Sequence, residues 1–187
     1  MISPTFGRTT ILDLALTTVP QLRDGDEFIL VGDGPVSRAE ELSKLISRVT
    51  YMHTPERKGD YGCTPCDYAI ERAKGDLVCF MGDDDLPTEH AFEIIRRKAK
   101  LDLPNVFSML HTGRILRGTT KVCQVSGQQL VIPRDMVKMP KYTACPAKDI
   151  LISDWVFINA CVQAWGKVVF HDEIICVLEA QHFGRDL

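Results

Sequence analysis

The first hundred residues alternate between short apolar runs and amphipathic stretches. Residues 1–5 read as a first strand. Thr9 or Thr10 is placed to cap a helix carrying Ile11, Leu12, Leu14, Ala15, Leu16 and Val19, with Pro20 near its end. Glu27 to Val31 is a compact apolar run stopped by Gly32-Asp33-Gly34-Pro35, the pattern of a buried strand that ends in a loop. Ser37, with Glu40 at capping-box spacing, predicts a second helix through Leu42, Leu45 and Ile46. A strand near 49–53 and a polar loop over 54–62 follow. A helix over 64–74 ends at Gly75. The buried run Asp76 to Met81 leads into Gly82-Asp83-Asp84-Asp85, and Thr88 then caps a helix to about Lys100.

Beyond residue 100 the spacing changes. Val106–Leu110, Ile115–Leu116 and Lys121–Val125 predict short strands with an antiparallel portion. Ser153 caps a helix closed by Gly166, and Val168–Phe170 and Ile174–Leu178 are the last strands. Strands alternating with helices predict an α/β fold, with a mostly parallel central sheet flanked by helices. Ligands of such sheets bind beyond the carboxyl ends of the strands. That rule singles out Thr5 to Arg8, Asp33-Gly34, Arg57-Lys58 and the acidic triplet.

Composition narrows the classes. The 187 residues are 45% hydrophobic with a formal net charge of −3, which excludes disorder and disfavours a generally basic nucleic-acid-binding surface. No apolar run approaches the ~20 residues of a membrane span, and the first residues carry no secretory pattern. Seven cysteines, an odd number set mostly in apolar runs, read as reduced thiols of a cytoplasmic protein. Cys63-Thr64-Pro65-Cys66 has dithiol or half-zinc-site spacing, but no second ligand pair lies nearby in the sequence, so chance spacing is the expectation. Three adjacent carboxylates after a buried strand repel one another, by about 1 kcal/mol per pair in water and more in a cleft. A hard divalent cation, Mg²⁺ or Mn²⁺, relieves that repulsion.

The ordered set of motifs resembles a family 2-type glycosyltransferase with the GT-A fold. Ile2 to Arg8 resembles the family's opening strand and nucleotide-contacting loop. Phe28 to Gly34 resembles its second strand and the acidic turn that reads the nucleoside, and Ala69 to Asp85 resembles the stretch leading to the DxD motif. Gly127 to Arg134 resembles the strand entering the acceptor side, and Ile152-Ser153-Asp154-Trp155 the motif carrying the base, with Ser153 in place of the preceding Glu. Cys66-Asp67 stands where many members have Arg-Asn.

The resemblance implies a single domain over 1–187, with a nucleotide-sugar-binding half, 1–100, and an acceptor half, 101–187. It implies metal-dependent, inverting transfer from a UDP-linked sugar to a hydroxyl. In that scheme Pro4, Thr5, Phe6, Arg8, Asp33, Arg57, Lys58, Asp67, Asp83 and Asp84 bind donor or substrate. Asp83 and Asp85, with Asp84 as fallback, and His182 hold Mn²⁺ or Mg²⁺, and Asp154, at a helix start, is the catalytic base. Compact relatives of this kind occur in bacteria and bacteriophages, where acceptors include glycans, lipids and hydroxymethylated bases of DNA. Arg114, Arg117, Lys121, Arg134, Lys138, Lys141 and Lys148 gather in the acceptor half, as a DNA surface or as a solvated face. The competing classes are a non-catalytic nucleotide-sugar-binding protein and a nucleotidyltransferase.

Overall fold

A computed structural model describes residues 1–121, 124–144 and 150–178, with backbone alone over 150–153. Strands β1 (Ile2–Thr5), β2 (Phe28–Gly32) and β3 (Val49–His53) form a parallel sheet in the order β1-β2-β3. A second sheet runs β4 (Leu77–Cys79), β8 (Leu130–Pro133), β6 (Asn105–His111), β9 (Val169–Leu178), β5 (Leu86–Pro87), with β7 (Arg114–Leu116) paired to β6. The two sheets meet at one seam. Ile2 bridges Phe80 in parallel, and the Met81 N–H donates to the Ile2 carbonyl at 3.0 Å. Across that seam the strands follow one another as β3-β2-β1-β4-β8-β6-β9-β5.

Burial on both faces explains the apolar runs. Side chains alternate along a strand, so Phe28 and Leu30 pack with Leu14, Ala15, Ala39 and Leu42 of helices α1 (Ile11–Thr18) and α2 (Ser37–Leu45). Ile29 and Val31 face the other way, onto Ala69 and Ile70 of α3 (Cys63–Ile70) and Phe157, Ile158 and Cys161 of α5 (Ile150–Trp165). Helix α4 (Ala91–Lys98) adds Phe92 and Ile95 to the first of these layers.

The elements match the expected alternation, while several ends differ, and two of the hydroxyls expected to cap helices bond elsewhere in the fold. Thr10 precedes α1, but its hydroxyl donates to the Asp83 carbonyl. Thr88 does not start α4, because its N–H and Oγ1 donate to Ile175 and Ile174 of β9 at 2.9 and 3.0 Å. Ser37 lies inside α2, and Glu40 pairs with Lys44 at 2.8 Å instead of closing a capping box. Helix α3 stops at Ile70, and Glu27 accepts the Lys74 and Gly75 N–H groups at 2.6 and 3.2 Å. Helix α5 begins at Ile150, upstream of the expected cap at Ser153, and ends at Gly166 (φ 72°) as expected.

The second half is mixed. β8 is antiparallel to β4 and β6, while β9 is parallel to β6. The two final strands expected at 168–170 and 174–178 are one strand whose pairing shifts register between Val106 and Met109. No strand occupies the described residues of 121–125.

Leu30, fully buried at the centre of β2, tests this arrangement. Leu30→Ala should lower the unfolding free energy by about 2–5 kcal/mol, read from the urea midpoint at constant slope.

Candidate functional site

The order β2-β1-β4 reverses the direction in which strands are added, so the loops leaving β1 and β4 diverge. A crevice opens at such a switch point. A cavity of about 330 Å³ lies there, walled by Pro4, Phe6 and Arg8 after β1 and by Phe80 to Asp84 after β4. Gly62, Cys63 and Cys66 at the start of α3, Gly127-Gln128, Tyr142 and Asp154 complete it.

The acidic turn divides its labour. Asp83 is 3% exposed and accepts hydrogen bonds from Thr5 Oγ1 and the Phe6 N–H, each at 2.9 Å, with Arg8 at 3.3 Å. Burial raises its carboxyl above the usual range, against the lowering pull of the Phe6 N–H, Arg8 and Thr5. Arg8 also pairs with Asp84, and Asp85 accepts from Gln128 Nε2 at 2.7 Å. Over Gly82 two carboxylates converge: a methyl group there would sit 2.5 Å from Asp85 Oδ2 and 3.0 Å from Asp84 Oδ1. The convergence therefore falls on Asp84 and Asp85, and not on the Asp83–Asp85 pair expected from the sequence.

Two hard oxygen donors around one point suit Mg²⁺ or Mn²⁺, which take one or two carboxylates together with phosphate oxygens and water. Among the described residues no group of three or more His, Cys, Asp or Glu side chains surrounds such a point. The remaining ligands would then come from a diphosphate and solvent. His182 lies outside the described residues.

Asp33 and Asp67 serve loops. The Asp33 oxygens accept the Lys58 and Gly59 N–H groups at 2.8 and 2.6 Å, and Arg57 Nε donates to its carbonyl at 3.1 Å. Asp33, Arg57 and Lys58 thus fold the 54–60 loop at the end of β2 and do not line the cavity. Asp67 accepts the Tyr142 N–H (2.7 Å), the Thr143 N–H (3.0 Å) and Thr143 Oγ1 (2.8 Å). It thereby fixes the short turn Tyr142–Ala144, whose Tyr142 ring stacks on Phe157 at 3.6 Å and meets Phe80 edge-on at 5.2 Å under the cavity.

Asp154 stands in the second turn of α5, one turn further in than expected, so the helix N-terminus acts on it less. Its Oδ2 accepts the Gly127 N–H at 2.8 Å and faces Ser126 Oγ at 3.1 Å. Burial raises its carboxyl, and these two hydrogen bonds oppose the rise. Gly127 permits the approach: a side chain there would meet the Tyr142 hydroxyl at 3.0 Å and Asp154 Oδ1 at 3.2 Å. Ser126, Gln128 and Tyr142 carry no site signal in the sequence beyond the Ser126-x-x-Gln129 capping-box spacing, and that box forms.

This α/β sheet, parallel from β3 through β4 and mixed beyond, with an acidic turn at its switch point, has the GT-A glycosyltransferase fold. The chain belongs to glycosyl transferase family 2, whose profile matches residues 1–117. Among solved structures it is similar to S. aureus TarS 1-349 in complex with UDP-GlcNAc, with TM-score 0.70 and 15% identity over 94% of this chain and 56% of that one. It is also similar to the mannosyltransferase PcManGT from Pyrobaculum calidifontis in complex with GDP-Man and Mn²⁺, with TM-score 0.68 and 14% identity over 98% of this chain and 57% of that one. The chain thus spans a little over half the length of these structures. No curated protein matches the sequence.

Two outcomes follow from these contacts. A carboxyl raised in the folded state binds more protons there than in the unfolded chain, so it lowers stability as pH rises from its ordinary value through the raised one. Asp154→Asn should remove that loss and melt at or above the parent temperature near neutral pH, with the difference shrinking in acid. Asp67→Ala orphans the Tyr142 and Thr143 donors and should cost about 1–3 kcal/mol, seen by chemical denaturation together with a change in Tyr142 fluorescence.

Proposed function

We propose that the protein is an inverting glycosyltransferase that moves a sugar from a nucleoside diphosphate, UDP in the first instance, to a hydroxyl of a glycan acceptor. One observation carries this reading: Asp84, with Asp85 converging on it over Gly82, and the separate carboxylate of Asp154 stand on two walls of a single cavity at the switch point, which Asp84 and Asp154 line. Residues 1–100 supply the donor side and residues 101–187 the acceptor side. The UDP-GlcNAc and GDP-Man complexes of the similar structures support a nucleotide-sugar donor.

Asp84 and Asp85 would hold a divalent ion, Mn²⁺ or Mg²⁺, which when bound neutralises the charge of a leaving diphosphate. Arg8, 48% exposed beside both Asp83 and Asp84, adds a cation at the same wall for that charge. Phe6, 54% exposed at the mouth, offers an apolar ring to a nucleobase, while Asp33 and Asp83 hold the loops that frame the pocket. Asp154 takes the proton of the acceptor hydroxyl as that oxygen attacks the anomeric carbon. Its raised carboxyl makes it a stronger base than an exposed aspartate. Attack from the side opposite the leaving group inverts the centre.

A glycan is favoured over DNA because several of the basic side chains of the acceptor half are engaged. Arg117 pairs with Asp172, Lys138 with Asp135 and Lys141 with Glu71, and Arg134 donates to the Gly75 carbonyl. Lys148 lies outside the described residues. Free thiols at Cys66, Cys79 and Cys176 suit a reducing cytoplasm. No described helix is long and apolar enough to cross a membrane.

The test is a donor screen by mass spectrometry with Mn²⁺ and mixed acceptors, modified-base DNA among them. Asp154→Asn should slow transfer by ~10²–10⁴-fold while leaving UDP-sugar affinity nearly unchanged. Asp85→Ala should abolish the Mn²⁺-dependent part of UDP binding in calorimetry. Tight UDP binding by the parent without transfer to any acceptor would replace this reading with a binding protein.

A further inference from the structure

A short hydrogen-bonded bridge joins the two carboxylate sites. Gln128 Nε2 donates to Asp85 Oδ2 at 2.7 Å, and its Oε1 accepts from Ser126 Oγ. The same Ser126 oxygen lies 3.1 Å from Asp154 Oδ2. Chemistry fixes the amide's direction: an ionised carboxylate only accepts, so the NH₂ end must face Asp85 and the carbonyl end must face Ser126.

A serine hydroxyl has a single proton, and here two acceptors compete for it, Gln128 Oε1 and Asp154 Oδ2. When the proton goes to the amide carbonyl, it polarises the amide and strengthens the donation to Asp85. When it goes to Asp154, it stabilises that carboxylate as an anion, and the amide loses its support. The frame around this choice is rigid. Gln129, fully buried, accepts the Ser126 N–H at 3.0 Å and donates to the Phe107 and Leu116 carbonyls at 2.8 and 3.2 Å.

We infer that Gln128 is a positioning residue that couples the donor-side carboxylate Asp85 to Asp154, through the divided proton of Ser126. This rests on the glycosyltransferase reading for the roles of the two aspartates, but the coupling itself is a property of the side chains. Were Asp85 to hold a divalent ion, the Gln128 amide would give up Oδ2 and the Ser126 proton would turn to Asp154. The acceptor-side carboxylate is then held ionised once the donor side is filled. Among the described residues, the other titratable groups facing Asp154 are Cys66 from α3 and Tyr142 from the turn before α5. Neither belongs to the bridge.

The experiment uses the full chain and carbon-13 NMR titration of the Asp154 carboxyl, assigned by its loss in Asp154→Asn. Gln128→Met keeps length and removes both polar ends, leaving Asp154 as the single acceptor in this bridge for the Ser126 proton. The Asp154 midpoint should fall by about one pH unit. Ser126→Ala should raise it by a similar amount, and the double variant should match Ser126→Ala alone. A role in packing alone would shift the melting temperature and leave untouched a carboxyl that Gln128 does not contact. An unchanged midpoint in Gln128→Met, or additive shifts in the double variant, overturns the coupling.

Should Gln128→Met fail to fold, Asp154→Asn supplies a second reading. The side-chain amide signals of Gln128 should shift on that change, and unshifted signals overturn the proposal. In calorimetry Gln128→Met should also tighten Mn²⁺ binding to the UDP complex several-fold, because no amide competes for Asp85 Oδ2, and unchanged affinity overturns the link to Asp85. If the parent binds neither UDP nor Mn²⁺, the glycosyltransferase reading fails, while the NMR shifts still decide the coupling.

Discussion

The buried carboxylate of Asp83 is the interaction on which the rest of the site depends. It sits at the seam where β1 and β4 meet, and it draws in Thr5 Oγ1 at the end of β1 with the Phe6 N–H and Arg8 of the loop after it. Its own carbonyl accepts from Thr10, which fastens the start of α1 to the same turn. Burying a charge is costly unless hydrogen bonds and an opposite charge compensate, and here both do. With Asp83 committed inward, the loops leaving β1 and β4 keep fixed places on either side of the crevice. Asp84 and Asp85 are left to converge over Gly82.

The opposite wall follows a similar logic. Gly127 brings its backbone N–H against Asp154 because no side chain intervenes, and buried Gln129 ties that turn to β6 and β7. Asp67 reaches from α3 to hold the Tyr142 turn, which floors the cavity through stacking on Phe157. A residue at the position where the family often carries a different dipeptide thus shapes the pocket at one remove. The mixed pairing of β8 and β9 brings these later segments back beside β4, so both halves of the chain build one cavity although the family profile covers only residues 1–117.

The fold was legible wherever an apolar run had to be buried on both faces. Phe28 to Val31 and Leu77 to Cys79 admit no other placement, and the acidic turn beyond the second run marks the binding end of the sheet. Helix ends were less legible, because Thr10 and Thr88 look like caps in sequence and bond across the fold instead. Nor does the sequence reveal that Asp33, placed at the binding end of the sheet, also accepts the Lys58 and Gly59 N–H groups on its two oxygens. Ser126 and Gln128 were illegible. A serine and a glutamine near a turn are ordinary, and only their distances to two aspartates more than twenty residues away in either direction give them significance.

Strand direction has a practical consequence for anyone attaching something to this chain. β1, β4, β6 and β9 all run the same way, because β8 is antiparallel to both β4 and β6 and β9 is parallel to β6. Leu178, the last residue of β9, therefore lies at the edge of the sheet where the cavity opens, whereas Met1 lies at the opposite edge, against Glu27. An affinity handle, a fluorophore or a fused module placed before Met1 would stand a full strand length from the reactive face. The same addition directly after β9 would enter on that face.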